Sequence, residues 1–150
     1  VEDNLVNQRV LQKQLKNLGC IVHVANHGGE ALVVLRKSTY WNHAADTEQS
    51  IPESERIGLS VVLMDQEMPV MDGLTCTKKI RELEKEGKLI RHVPVIAVTA
   101  NARIEQIETA MNAGMVSFVV LVQHLSVANA CIPGRCNAKT IPHPRAHPKD

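Results

Sequence analysis

The chain has 150 residues, a formal net charge of +1, and 22% charged against 44% hydrophobic residues, the balance of one globular domain. That charge gives no whole-chain reason to expect nucleic acid or an anionic membrane surface as partner. No apolar run approaches the ~18 residues of a membrane span, no signal peptide pattern is present, and the four sparse cysteines read as reduced thiols, so a cytoplasmic (intracellular) setting is expected.

Glu2 and Asp3 stand side by side ahead of Asn4, which can N-cap a helix carrying Val6, Val10, Leu11, Leu15 and Leu18 at helical spacing. Gly19 stops that helix. Residues 20–25 (Cys-Ile-Val-His-Val-Ala) are expected to form a short strand, with His23 a strand residue rather than a ligand. Residues 26–29 turn into a second helix at about 30–37. From 38 to 58 no period is sustained and polar or turn-forming residues dominate, so an insertion loop, long and mobile, is expected. Tyr40 and Trp41 either anchor its start or mark a contact surface.

Residues 59–65 then read as a buried strand whose apolar run, 61–64, ends abruptly in Asp65. Pro69 sets a turn, and Asp72 caps a helix running from Gly73 to about residue 86. Its inner side is assigned to Leu74, Thr77, Ile80 and Leu83 or Glu84. Lys78, Lys79, Arg81, Glu82 and Lys85 are assigned to water. Residues 93–99 form the next strand, with Pro94 tolerated near its start. A helix with Ile104, Ile107, Ala110 and Met111 ends at Gly114, and a last strand is expected over 117–122.

Alternating strands and helices predict an α/β fold with a parallel sheet covered on both faces. Right-handed crossovers place every strand's carboxyl end on one edge, where such folds bind ligands. Glu2, Asp3, Asp65 and Thr99 all fall there. Three carboxylates on one edge repel each other and call for a cation; a hard divalent ion with oxygen ligands, Mg²⁺, suits them. A carboxylate such as Asp65 can also act as a nucleophile towards phosphorus and form an acyl phosphate, with the Thr99 hydroxyl at hand. The competing reading makes these acids caps and turn residues, as Asp72 is.

Glu2-Asp3-Asn4, the run Met64-Asp65-Gln66-Glu67-Met68-Pro69-Val70-Met71-Asp72-Gly73, and Pro94-Val95-Ile96-Ala97-Val98-Thr99-Ala100 together resemble the receiver domain of two-component response regulators. The likeness is greatest to receivers of fungal-type hybrid histidine kinases, and it covers residue 1 to about 115. The resemblance implies a flavodoxin-like doubly wound sheet of order 2-1-3-4-5. It implies Asp65 as phosphoacceptor from a phosphohistidine and Thr99 as the switch hydroxyl. Mg²⁺ would be held by Glu2, Asp3, Asp65 and the main-chain carbonyl of Glu67. The partner would be a histidine kinase or a histidine phosphotransfer protein, and the domain a phospho-accepting regulator rather than an enzyme. Two other readings compete: a pseudo-receiver that only binds a partner, and a phosphatase with Asp65 as nucleophile and Glu67 as general acid.

The sequence departs from the family at both ends. A start at Val1 leaves the first strand nearly missing, so a fragment is expected, and an isolated chain of this extent is expected to fold poorly. The receiver is assigned to residues 1–122. Beyond it the family's lysine and proline positions fall on Leu121 and Val122, and its last strand and helix are replaced. The tail, 123–150, carries Cys131, Cys136, His143 and His147, with too few residues between the pairs for a two-Cys, two-His finger, which needs about twelve. Disorder is expected there instead. Val116-Ser117 can be encoded by a splice-donor sequence, so the stretch after Met115 is expected to be translated intron or another artefact of gene prediction. Transcript sequencing across this junction should show a spliced message; a dominant message reading through into the tail would sink the idea.

Overall fold

The computed structural model describes residues 1–46, 50–99 and 103–120. Expectations for Ala100, Leu121, Val122 and the tail lie outside the described residues. The elements, in order, are α1 (Leu5–Asn17), α2 (Gly28–Arg36), a short 3-10 turn (Glu53–Glu55), β1 (Val62–Asp65), α3 (Gly73–Lys85), β2 (Val95–Thr99), α4 (Ile104–Asn112) and β3 (Ser117–Val120). The three described strands are parallel in the order β1-β2-β3. They form the last three places of the expected 2-1-3-4-5 sheet.

Local chemistry accounts for the helix ends. The Asn4 side chain accepts from the main-chain N–H groups of Val6 and Asn7 at 2.9 and 3.2 Å, and Asp72 accepts from Thr75 at 2.7 Å. His27 caps α2 through its ring nitrogen. Gly19 closes α1 at φ 81°, a left-handed conformation that glycine adopts without a Cβ penalty.

The core lies between the sheet and α2, α3 and α4. Met64, Val95 and Ala97 from the strands meet Leu35, Cys76, Ile80 and Ala110 from the helices. Ile96 and Val98, on the opposite face of β2, are also buried, so the strand is apolar on both faces. One close approach fixes α3 beneath the end of β1. A Cβ on Gly73 would collide with the main-chain oxygen of Asp65 and crowd the Met64 side chain.

Three expectations are corrected. Residues 20–25 form no strand: their ladder contact is a single bond from Glu2 N–H to the Ala25 carbonyl (3.0 Å), and Ile21 is 90% exposed. A strand needs a row of main-chain partners, and one rung does not supply it. The apolar stripe of α1 is correspondingly uncovered, with Val6 69% and Val10 51% exposed and Leu11 its only buried residue.

The insertion is fastened to the fold at its described ends. Ser38 bridges Ile57 and Trp41 bridges Leu89, while Tyr40, Trp41 and His43 are buried. Arg91 lies over the Tyr40 ring and Arg36 over Trp41, and the Trp41 indole N–H donates to Asp46 at 2.9 Å. The aromatic pair is therefore an anchor. Arg81 does not face water either: its guanidinium donates to the carbonyls of Gly114 and Val93 and pairs with Glu84, joining α3 to the start of β2 and the end of α4. The planar fork of donors matches converging carbonyls as a lysine could not.

Gly73→Ala is expected to cost about 1–3 kcal/mol or more, because the contact it creates is with main chain rather than a flexible side chain. Chemical denaturation of both proteins measures this, and equal midpoints would show that β1 and α3 can separate freely.

Candidate functional site

β1 ends in Asp65, which pairs in register with Val98, so Thr99 lies one residue further along the same carboxyl edge. Thr99 is partly buried, and its main chain is in register with Val120. The acid pair reaches this edge through main-chain bonds. The Val1 amino group donates to the Leu63 carbonyl at 2.6 Å, Asp65 N–H to the Val1 carbonyl at 3.0 Å, and Glu2 N–H to Ala25 at 3.0 Å. Val1 thus runs beside β1, and Glu2 and Asp3 emerge next to Asp65. One carboxylate oxygen from each of the three acids lies within 4.8 Å of the others. Glu2 is buried, Asp65 half-buried and Asp3 exposed.

A hydrogen-bonded frame holds Glu2. Its Oε1 accepts from Asn4 N–H at 3.1 Å, and its carbonyl accepts from the Gln8 amide. The same amide donates to Asn26 at 2.8 Å, and Asn26 in turn donates twice to Glu30. Sequence reading missed Gln8 and Asn26. Asn4 announced a cap, but nothing in the spacing shows a glutamine one turn later reaching back over the cap.

Burial raises the pKa of both Glu2 and Asp65. For Glu2 the Asn4 N–H opposes this, while the Asp65 charge adds to it. For Asp65 the N–H groups of Glu67 and Gln66 oppose, while Asp3 and Glu67 add. Asp72 and Glu30, by contrast, are lowered by donors to their carboxylates, chiefly the N–H groups of Thr75 and Asn26. The cluster therefore holds its negative charge against its own preference. All three groups offer carboxylate oxygens within reach of one another, which fits a hard divalent cation such as Mg²⁺.

Beyond Asp65 the chain makes a strained turn. Val70 has φ 67°, a sparsely populated conformation for a β-branched residue. Met71 N–H closes on the Pro69 carbonyl at 2.7 Å, and the Met71 carbonyl accepts from Gly28 N–H at 3.0 Å. That bond ties the turn to α2. A Cβ at Gly28 would meet Cys76 and Met71, so glycine is required at this contact.

A parallel sheet with flanking helices and an acidic carboxyl edge defines an α/β domain of the flavodoxin-like class. Within that class the chain belongs to the response regulator receiver domain family, whose model matches residues 1–121. It is 34% identical over 126 residues to hybrid signal transduction histidine kinase B of Dictyostelium discoideum, covering 79% of this chain and 5% of the kinase. The chain thus spans a small part of that relative's length. Among solved structures it is similar to the receiver domain of the histidine kinase CKI1 from Arabidopsis thaliana complexed with Mg²⁺ and BeF₃⁻. That match has a TM-score of 0.61 and 29% identity, covering 79% of this chain and 76% of the other. It is also similar to the Ssk1 receiver domain co-crystallised with the phosphotransfer protein Ypd1 of Saccharomyces cerevisiae (TM-score 0.60, 25% identity, 79% and 73% covered). The chain is therefore a receiver domain of phosphorelay systems, a family of regulatory domains. Among the described residues, no helix is long and apolar enough to cross a membrane.

Mg²⁺ is expected to stabilise the protein more near pH 7 than near pH 4. Because Glu2 and Asp65 have folded pKa values above their unfolded ones, the folded state holds extra protons in that interval. Their contribution is most favourable below the ordinary carboxylate range and weakens as pH rises through the raised values. Mg²⁺ binds the deprotonated form, so its increment grows over the same interval, to about 2.7 kcal/mol at a hundredfold excess over Kd. Asp72 and Glu30 act in the opposite sense, so the difference between melts with and without Mg²⁺ is the quantity to compare. Equal increments at both pH values would rule out ligation by these carboxylates.

Proposed function

We propose that this chain is a phosphorelay module in which Asp65 accepts a phosphoryl group from a partner's phosphohistidine. The observation that carries this reading is the convergence of Glu2, Asp3 and Asp65, with oxygens within 4.8 Å, at the carboxyl edge of a receiver sheet. A carboxylate oxygen of Asp65 attacks phosphorus. The new O–P bond forms as the N–P bond breaks, and the imidazole nitrogen keeps the electron pair and takes up a proton. Glu2, Asp3, Asp65 and the Glu67 carbonyl would hold Mg²⁺, which when bound neutralises charge on the transferring oxygens. The N–H groups of Gln66 and Glu67 already lean on the Asp65 carboxylate and keep it oriented. Thr99 is assigned the hydroxyl that meets the acquired phosphoryl group and reports it.

The partner is a histidine phosphotransfer protein or a histidine kinase, as in the Ypd1 complex of the similar receiver. The uncovered face of α1, with Leu5, Val6 and Val10 directly after the acid pair, offers such a partner an apolar surface beside the site. A second reading, a pseudo-receiver that only binds a partner, draws support from Leu121 standing where the family has lysine.

Incubation with a phosphorylated histidine donor and Mg²⁺ is expected to label the wild type and not Asp65→Asn. Thr99→Ala should retain the label but lose about tenfold or more in transfer rate, the scale for removing a single donor to the reacting group. Equal labelling of wild type and Asp65→Asn would refute the assignment. A folded protein that neither binds Mg²⁺ nor takes the label would establish the pseudo-receiver.

A further inference from the structure

Gln66 follows Asp65 directly, yet it is only 9% exposed. Its main-chain carbonyl accepts from Gly73 N–H at 3.0 Å, which ties it to the start of α3. Its side chain crosses to α4, where Nε2 donates a long bond, 3.4 Å, to the main-chain oxygen of Gln106. Among the described residues, the side-chain Oε1 of Gln106 is buried and has no hydrogen-bond partner. A buried amide oxygen without a donor is costly and uncommon. The helix that carries it is weakly started, because Arg103 gives α4 no side-chain cap and Ile104 is exposed. One residue of α4 therefore presents two acceptors, one held by a long bond and the other empty, to an amide with two hydrogens to give.

We infer that Gln66 is a positioning residue that ties α4 to the Asp65 turn through alternative acceptors on Gln106. The main-chain oxygen is the acceptor in this structure, and Oε1 is the acceptor once the turn shifts. Both oxygens belong to one residue, so the exchange keeps the tie between Gln66 and the same turn of α4. A change at the Asp65 carboxylate reaches the strap through the chain itself, since Gln66 stands between Asp65 and Glu67, whose N–H bonds that carboxylate at 3.4 Å. This link to the acceptor rests on the phosphoacceptor reading above; the strap between Gln66 and Gln106 stands without it.

Hydrogen exchange on the full chain tests both parts, with residues 104–112 read against α3 as reference. Gln66→Met and Gln106→Met keep side-chain length and remove only the polar groups. Without ligand, Gln66→Met is expected to speed exchange in α4 by up to about tenfold, the scale of one net hydrogen bond, with α3 unchanged. Gln106→Met is expected to slow it, since the unpaired oxygen is gone. With Mg²⁺ and BeF₃⁻, binding is followed separately by fluorine NMR. The wild type should then change its α4 exchange, and both variants should bind without that change. Unaltered α4 exchange in ligand-free Gln66→Met would overturn the strap, as would a loss of protection spread equally over α3. A ligand response in Gln106→Met equal to wild type would overturn the alternative acceptor. If the wild type binds no BeF₃⁻, the phosphoacceptor reading fails, and the ligand-free comparison still decides the strap.

Discussion

Mutual repulsion among three carboxylates is the constraint around which this domain is arranged. Glu2, Asp3 and Asp65 lie close enough for their oxygens to share one ion, and burial makes the charged forms of Glu2 and Asp65 harder still to sustain. Main-chain hydrogen bonds hold them there. Val1 is tied to Leu63 and Asp65, Glu2 is tied to Ala25, and N–H groups from Asn4 and Glu67 donate to the carboxylates. Such donors are fixed by the backbone and cost little to orient, which makes a poised anionic site possible before any cation arrives.

The rest of the molecule serves that edge from below and from the side. Gly73 lets α3 approach the Asp65 carbonyl, and the strained Val70 turn is pinned to α2 through Met71 and Gly28. At the other end of the sheet, Arg81 joins three elements and the Tyr40–Trp41 anchor closes the insertion against the residues that lead into β2. These contacts are polar or aromatic and lie at the rim. The apolar centre, from Met64 to Ala110, is ordinary close packing and fixes where the strands lie rather than what their ends do.

The places where sequence reading went astray share a cause. For 20–25 the apolar pattern was strand-like, but a strand exists only where a neighbouring backbone offers successive donors and acceptors. Arg81 sat at an outward position by helical spacing, and the carbonyls that capture it come from residues 12 and 33 positions away. Polar composition suggested mobility for 38–58, yet two aromatic side chains and two bridges fasten its described ends. Sequence reading gave Gln66 no role of its own, because its acceptor lies 40 residues downstream.

By itself the sequence determined the class of fold, the caps of α1 and α3, the apolar runs of β1 and β2, and the family, because these depend on local periodicity, on residues within one turn, or on a recurring set of motifs. It also singled out Glu2, Asp3, Asp65 and Thr99 as residues of one edge, since parallel strands must end on the same side. Only the tertiary structure decided that the three acids lie within reach of one ion, that Gln8 and Asn26 frame Glu2, and that Gln66 reaches α4. Those facts depend on distances between segments far apart in the chain, and no local pattern encodes a distance.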